Sequence, residues 1–530
     1  MARQVHPFTL CGALVHETIP ALLVTAAERD PVGEWLRTDG GTLTFGAAAG
    51  LVARVAERLH DSGVRRGDLV VVTARTTPPY LLCWLALAAL GAVSVPTDPA
   101  STPHELAGLV GQVRPTMLIS DADLQPSIRG VAPPPLGVLD IEVVVGDWLT
   151  GDRADLTAVS RGVGPEDLAV LIPTSGTTGR SKLVMQTHRA YAMAGVGFPY
   201  WMELTRSDRL MTSLPLFHIN APAYSVLGSL AAGAGLVLLP RFSPRSFLDS
   251  ARRHGATEFN AIGAMLEMLM RQPPRADDAA TALRLCYTGP SPAREWQEAF
   301  EERFGLRVVC GYAMSESPYG LIWRHGTRPF GTLGSVRQHP ALGQVNEARV
   351  VDPDGAEVAP GGTGELLLRN PTVTPGYWEM PQETAEAVVD GWMHTGDLVT
   401  VNPDDTYTFV SRQKEVLRRR GQNLSPAEVE DAVLTHPDVL EVAVVAVPSE
   451  LTEDEVKAFV VLRPGRDVDL EELRAWTAQR LSAFKVPRFW QSVETLPRTP
   501  TSRVAKHRLP AGHPPEEYDG QGSARRTAGS

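Results

Sequence analysis

From Thr44 onward the chain repeats one texture: short apolar runs that stop at Gly, Pro, Ser or Asp, separated by spans with helical periodicity. TFGAAAGLVARVAERLHDSG (44–63) places its apolar residues at helical spacing and is closed by a glycine. DLVVVTA (68–74), AVSVPTDP (92–99), PTMLISD (115–121), AVLIPTSG (169–176), RLMTSLPL (209–216), GLVLLP (235–240), LRLCYTG (283–289) and LRVVCGYAM (306–314) read as short buried strands. Helical spans such as PRSFLDSARRHG (244–255) and REWQEAFEERFG (294–305) lie between them. Strands alternating with helices predict a largely parallel, helix-covered sheet, with ligand loops beyond the carboxyl ends of its strands.

The texture changes twice. ALGQVNEARVVDPDGAEVAPGGTGELLLRN (341–370) alternates at period two around D-G and G-G turns, which predicts antiparallel β structure. After Ser411 comes a basic run, then AEVEDAVLTHPDVLEVAVVAVPS (427–449) and DEVKAFVVLRPG (454–465), a small α+β module. The expected fold is therefore α/β: a large N-terminal domain of helix-covered, mostly parallel sheets with a β-rich subdomain, then a small, mobile α+β C-terminal domain. Boundaries are expected at 1–412 and 413–510, with a disordered Pro/Gly/Ser-rich tail over 511–530.

A length of 530 residues exceeds one core and requires at least two domains. The net charge of −11 argues against a nucleic-acid partner, because phosphate backbones reward basic surfaces. Cys11, Cys83, Cys286 and Cys310 show neither zinc nor disulfide spacing and suit small buried roles in a reducing compartment. The most apolar stretch, Tyr80 to Val95, falls short of the ~20 residues a membrane helix needs and reads as a core helix running into a strand. The N-terminus has no apolar core of a signal peptide, so a cytoplasmic location without membrane contact is expected.

Immediately after the strand AVLIP stands Thr174-Ser175-Gly176-Thr177-Thr178-Gly179-Arg180-Ser181-Lys182. Glycines let backbone N–H groups turn inward, hydroxyls add donors and a lysine adds charge, which is how a loop cradles polyphosphate. The spacing is not that of a Walker A loop. The loop resembles the signature of the adenylate-forming superfamily, which includes acyl-CoA synthetases, peptide-synthetase adenylation domains and luciferases. The resemblance extends through PLFHIN (215–220), GYAMSES (311–317), DGWMHTGDL (390–398) and SRQKEVLRRRGQNLSPAEVE (411–430). The R-R-R-G-x-N wording is most similar to crotonobetaine/carnitine-CoA ligases.

The resemblance implies two half-reactions: a carboxylate attacks the α-phosphate of ATP to give acyl-AMP, and a thiol then displaces AMP. It implies that Glu316 is a magnesium ligand with Thr178 beside it, and that Tyr312 stacks on adenine. Asp397 would accept from the ribose hydroxyls, with Arg412 at the nucleotide. The phosphate loop (Thr174, Ser175, Gly176, Thr177, Thr178, Gly179 and Lys182), Gly289, Pro290, Gly311 and Ser315 complete the AMP site. His218 either gates the acyl pocket or packs as a core residue. Domain rotation at Lys414 would bring Gly421 to the pantetheine arm, with Arg418, Arg419 and Arg420 either attracting coenzyme A phosphates or forming a solvated edge. ATP or acyl-AMP, coenzyme A and Mg2+ are the expected ligands; a homodimer stays open.

One departure matters. Where the family carries P-[RK]-T-x-[ST]-G-K, this chain reads PRTPTSRVAK (497–506), with Ser502 for the glycine and Arg503 for the catalytic lysine. A planar guanidinium does not replace a compact ammonium at a tight site. The lysine serves adenylation only, so acyl-AMP formation is expected to be impaired while thioester formation persists, a partner ligase supplying the adenylate. The alternatives are that Arg503 or Lys506 serves both steps, that the enzyme loads a carrier protein, or that it is a non-catalytic nucleotide-binding relative. Small residues Ala221, Ala223, Gly263, Ala264, Gly289 and Ala313, with Met314, predict a roomy pocket for a bulky, mostly apolar acid of natural-product type.

Overall fold

The computed structural model describes residues 17–128, 131–149, 153–174, 181–289, 291–412, 417–419, 422–424, 426–448, 454–497, 504, 506, 509–510 and 517–520. Two large sheets build the N-terminal domain. One has six strands in the order Val138–Asp140, Met117–Ser120, Leu69–Thr73, Val93–Pro96, Leu168–Thr174, Lys182–Thr187, parallel until the last antiparallel pair. The other has nine strands, parallel through its centre from Arg307–Met314, Leu285–Thr288, Glu258–Asn260, Arg209–Thr212 and Gly235–Leu238 to Glu34–Thr38, with antiparallel strands at both ends.

The helices Phe45–Asp61, Pro78–Leu90 and His188–Trp201 pack into one core shared by both sheets; Leu51, Leu82 and Phe198 are buried with Val70, Val72, Leu210 and Leu236. Local chemistry sets their ends. Thr77 caps the Tyr80 segment, prolines stand in its first turn, and Gly91 at φ 73 ends it in the left-handed conformation that glycine adopts without penalty. The expectation of a core helix running into a strand holds: Pro78–Leu90 is followed by Val93–Pro96, both buried. No helix among the described residues is long and apolar enough to cross a membrane.

Antiparallel strands Glu347–Val351, Thr363–Arg369 and Trp392–Val401, with Tyr407–Arg412 added, form the β-rich subdomain. The C-terminal domain has the helices Pro426–Leu434 and Leu470–Ala478 on a sheet of Val439–Pro448, Asp454–Leu462, Phe489–Ser492 and Tyr518–Asp519. The last strand corrects the expectation of a tail disordered from 511: Tyr518–Asp519 pairs antiparallel with Phe489–Ser492. Glu517 places a carboxylate 2.5 Å from the fully buried Lys457 ammonium, and Arg488 binds Asp519 through two bonds of 3.0 Å. The surrounding Pro/Gly/Ser composition masks this short Glu-Tyr-Asp strand in the sequence.

The two domains meet at a helix start. Thr102 and Glu105 form a capping box at the N-terminus of Pro103–Val113. Thr102 Oγ1 also donates to the Arg480 carbonyl (3.0 Å), and Glu105 accepts from Ser482 (3.3 Å) and Lys485 (2.9 Å) of the C-terminal domain.

Candidate active site

The loop after the strand Arg307–Met314 turns back through Glu316 into Ser317–Ile322. Tyr312 points toward the β-rich subdomain, where its hydroxyl donates to Asp397 Oδ2 at 2.6 Å. Asp397 is buried, its own N–H donates to Thr395 Oγ1 (3.1 Å), and it faces Arg412 in the register of adjacent strands. Two residues that the resemblance assigns to one nucleotide, 85 positions apart, are therefore in direct contact.

Glu316 accepts from the Tyr377 hydroxyl at 3.0 Å, and Lys182 Nζ lies 4.4 Å over the Tyr377 ring. Burial pushes the Tyr377 phenol well up, and the Glu316 charge adds to it, so Tyr377 stays a donor. Thr174 Oγ1 donates to the Lys182 carbonyl (3.2 Å) across the base of the phosphate loop, and Gln186 Nε2 holds the Ser315 carbonyl at 2.5 Å. Sequence reasoning missed Tyr377 and Gln186; the only signal was an aromatic directly after Gly376, whose φ of 134 makes a sharp turn. Among the described residues no three His, Cys, Asp or Glu come together as a metal cage. Glu316 nevertheless suits Mg2+, which commonly takes one or two carboxylates plus substrate phosphates.

Thr174, Lys182, Ser315, Glu316 and Tyr377 line one cleft of about 1390 Å³ with His218, Asn220, Ile262, Ala313 and Met314, and Tyr312 and Asp397 adjoin its lining residues Ala313 and Gly396. Burial lowers the His218 imidazole, which is therefore neutral; its ring packs tilted at 52° against Phe217 with centroids 4.7 Å apart. Of the residues expected to form the acyl pocket, Ala313 and Met314 line the cleft; the other small residues do not open it. Ala221, Ala223 and Ala264 are buried in packed structure. A Cβ at Gly289 would lie 2.4 Å from the Gly311 carbonyl oxygen, and one at Gly311 2.8 Å from Arg337 Nη2, so these glycines serve close packing rather than a cavity. Gly263 begins the helix Gly263–Met270 beside Ile262.

Arg337 was not foreseen. It is fully buried; its Nε donates to the Leu321 carbonyl (2.9 Å), Nη1 to Tyr224 Oη (3.0 Å) and the Pro318 carbonyl (3.3 Å), and Nη2 to Tyr287 Oη. It ties the strands bearing Tyr287 and Pro318 to Tyr224 of the π-helical segment.

From the C-terminal domain the hairpin Leu417–Arg419/Gln422–Leu424 approaches the same cleft, Gln422 Nε2 reaching Asp98 Oδ2 at 3.4 Å. Arg419 is a correction to the expected coenzyme A arginines. It is buried, donates to the Phe484 and Val486 carbonyls (2.7 Å each) and pairs with Glu455 at 2.7 Å. Strand alternation turns this arginine inward, where it braces its own domain. Lys506 pairs with Glu430 at 2.7 Å. Cys83, Cys286 and Cys310 are buried, and burial pushes Cys83 and Cys310 up to about 12, which leaves them inert thiols. Ser175, Gly176, Thr177, Thr178, Gly179, Pro290, Lys414, Arg420, Gly421, Arg503 and Cys11, and the side chains of Arg412 and Arg418, lie outside the described residues.

The AMP-binding enzyme family model matches residues 23–378, and the AMP-binding enzyme C-terminal domain matches 428–503. The chain belongs to the AMP-binding enzyme family. It is 29% identical over 477 residues to crotonobetaine/carnitine–CoA ligase of Salmonella arizonae, covering 86% of this chain and 91% of that protein. Its fold is similar to that of a double mutant of o-succinylbenzoate CoA synthetase from Bacillus subtilis bound with a product analogue (TM-score 0.81, 24% identity, 92% of this chain and 98% of the other). ATP-bound MatB from Rhodopseudomonas palustris is similar with a TM-score of 0.66 at 26% identity, over 93% and 98% of the two chains.

Proposed function

We propose that this AMP-binding enzyme is an AMP-forming acyl-CoA ligase that joins a carboxylic acid to coenzyme A through acyl-AMP. The observation that carries the reading is the cleft lined by Lys182, Glu316 and Tyr377 of one domain and Gln422 of the other, with the Tyr312–Asp397 contact adjoining its lining residues Ala313 and Gly396. Asp397 and Tyr312 would hold the nucleoside, while Lys182 places positive charge at the base of the phosphate loop. Mg2+ held by Glu316 would neutralise polyphosphate charge when bound. His218, half-buried and neutral, lines the cleft and feels the charge of Asp98, the residue that Gln422 contacts. A gate at that position would separate the acid from the incoming thiol. Mixing synthetic acyl-AMP with the enzyme and either coenzyme A or a phosphopantetheinylated carrier protein tests the acceptor: acyl-CoA is expected, and acylation of the carrier alone would refute the reading.

Within that activity the adenylation step is the weak one. Arg503 stands where the family's bridging lysine is found, and the nearest alternative, Lys506, is paired with Glu430 inside its own domain. Loss of one oriented donor to developing charge costs on the order of 10²–10³ in rate. A separate adenylating ligase would then supply acyl-AMP, and this enzyme would complete the thioester.

A further inference from the structure

The acyl end of the cleft is not wholly apolar. Asn220 stands at the N-cap of the π-helix Ala221–Val226, a place where asparagine side chains normally cap the backbone, yet it makes no capping bond. Its Oδ1 instead accepts from Asn260 Nδ2 at 2.8 Å. Asn260 is fully buried at the carboxyl end of Glu258–Asn260, and its Oδ1 has no hydrogen-bond partner among the described residues. His218 Nε2, on the same wall of the cleft as Asn220, is likewise buried without a partner. Asn220 lines the cleft and Asn260 lies directly behind it; an unsatisfied buried amide costs about 1–3 kcal/mol, so this pair calls for a hydrogen-bonding occupant.

The register gives the direction. Asn260 pairs with Tyr287 in adjacent parallel strands, so both side chains lie on the same sheet face. That face is closed beyond Tyr287 by Arg337. Asn220 lines the cleft together with Ala313 and Ile262, so the amide pair borders the space an acyl chain entering past them would reach. A π-helix, which inserts an extra residue into a helical turn and recurs at functional sites, carries Asn220 to this point.

We infer that the amide pair Asn220–Asn260 recognises a hydroxyl or N–H group on the acyl substrate, making this a ligase for donor-bearing acids rather than for wholly apolar ones. The inference rests on the reading of the cleft as an acyl site. A site built around such a bond rejects the analogue that lacks it, because the amide is then left buried and unpaired.

Binding needs no turnover and separates the two ideas. N-acyl sulfamoyladenosines of cinnamic acid, of 2-, 3- and 4-hydroxycinnamic acids, and of adamantane-1-carboxylic and 3-hydroxyadamantane-1-carboxylic acids would be titrated calorimetrically against the full-length enzyme. At least one hydroxylated analogue is expected to bind about tenfold or more tighter than its parent. That preference should collapse to within about twofold in Asn260→Leu, where the orphan amide is gone. Asn220→Leu provides the same comparison should Asn260→Leu fail to fold by circular dichroism. Equal binding of every pair, or a preference that survives both substitutions, would overturn the inference and leave a bound water as the occupant. If no analogue binds more tightly than sulfamoyladenosine itself, the acyl-site reading fails, and this inference with it.

Discussion

Glu258 begins the strand Glu258–Asn260, between Leu210 and Leu285 of its neighbours, fully buried, with neither carboxyl oxygen hydrogen-bonded among the described residues. Burial, reinforced by the Asp208 charge, pushes its carboxyl well above the ordinary 4.5. The folded protein therefore holds this proton more tightly than the unfolded chain does. Its contribution is fully present below about pH 4.5 and is lost as pH rises toward the raised value. Glu258→Gln should match the wild type in thermal stability near pH 5 and exceed it at pH 8; an advantage that shrinks with pH would refute this. Side-chain facing separates what was legible from what was not. Motifs alone singled out Glu316, Asp397 and Tyr312; Glu316 lines the cleft, and Tyr312 and Asp397 meet in one hydrogen bond. Arg419 was misread because a run of arginines does not reveal which one a strand turns inward. Asn260, forty residues from Asn220, carries no motif, and neither does Arg337; Asn220 closes the PLFHIN segment, where nothing marks it as a partner of Asn260.

Among the elements, period and turn chemistry placed the strands well: Leu69–Thr73, Leu285–Thr288 and Arg307–Met314 fall within the apolar runs that announce them. The strand Tyr518–Asp519 escaped because two paired residues in a polar tail give no periodic signal. Its worth is electrostatic. Lys457 is fully buried beneath it, and Glu517 lies 2.5 Å away. Removing one partner of a buried pair commonly costs about 3–5 kcal/mol. Deleting residues 511–530 should destabilise the C-terminal domain by that order in urea unfolding, and Lys457→Met in the truncated chain should recover most of it. Unchanged stability after truncation would show that the strand contributes nothing.

At the scale of the whole molecule, one capping box serves two purposes: Thr102 and Glu105 start a helix and receive Arg480, Ser482 and Lys485 of the other domain. Lys485 also binds Glu428 at 2.7 Å; burial alone would lower its ammonium, but Glu428 and Glu105 outweigh that and raise it. Gln422 of the hairpin meets Asp98 at the cleft, which under the proposed function is where the thiol acceptor would arrive. Glu105→Gln should slow thioester formation from supplied acyl-AMP by on the order of tenfold, equivalent to about 1.4 kcal/mol, and leave ATP–pyrophosphate exchange unimpaired. Equal losses in both would mean the contact is not specific to one step. The central claim is that this enzyme uses acyl-AMP far better than it makes it. The direct measurement compares, for one acid, the rate of acyl-CoA formation from synthetic acyl-AMP with the rate of acid-dependent ATP–pyrophosphate exchange. A ratio of at least about 10² is expected from the Arg503 replacement; a ratio near one would contradict the account.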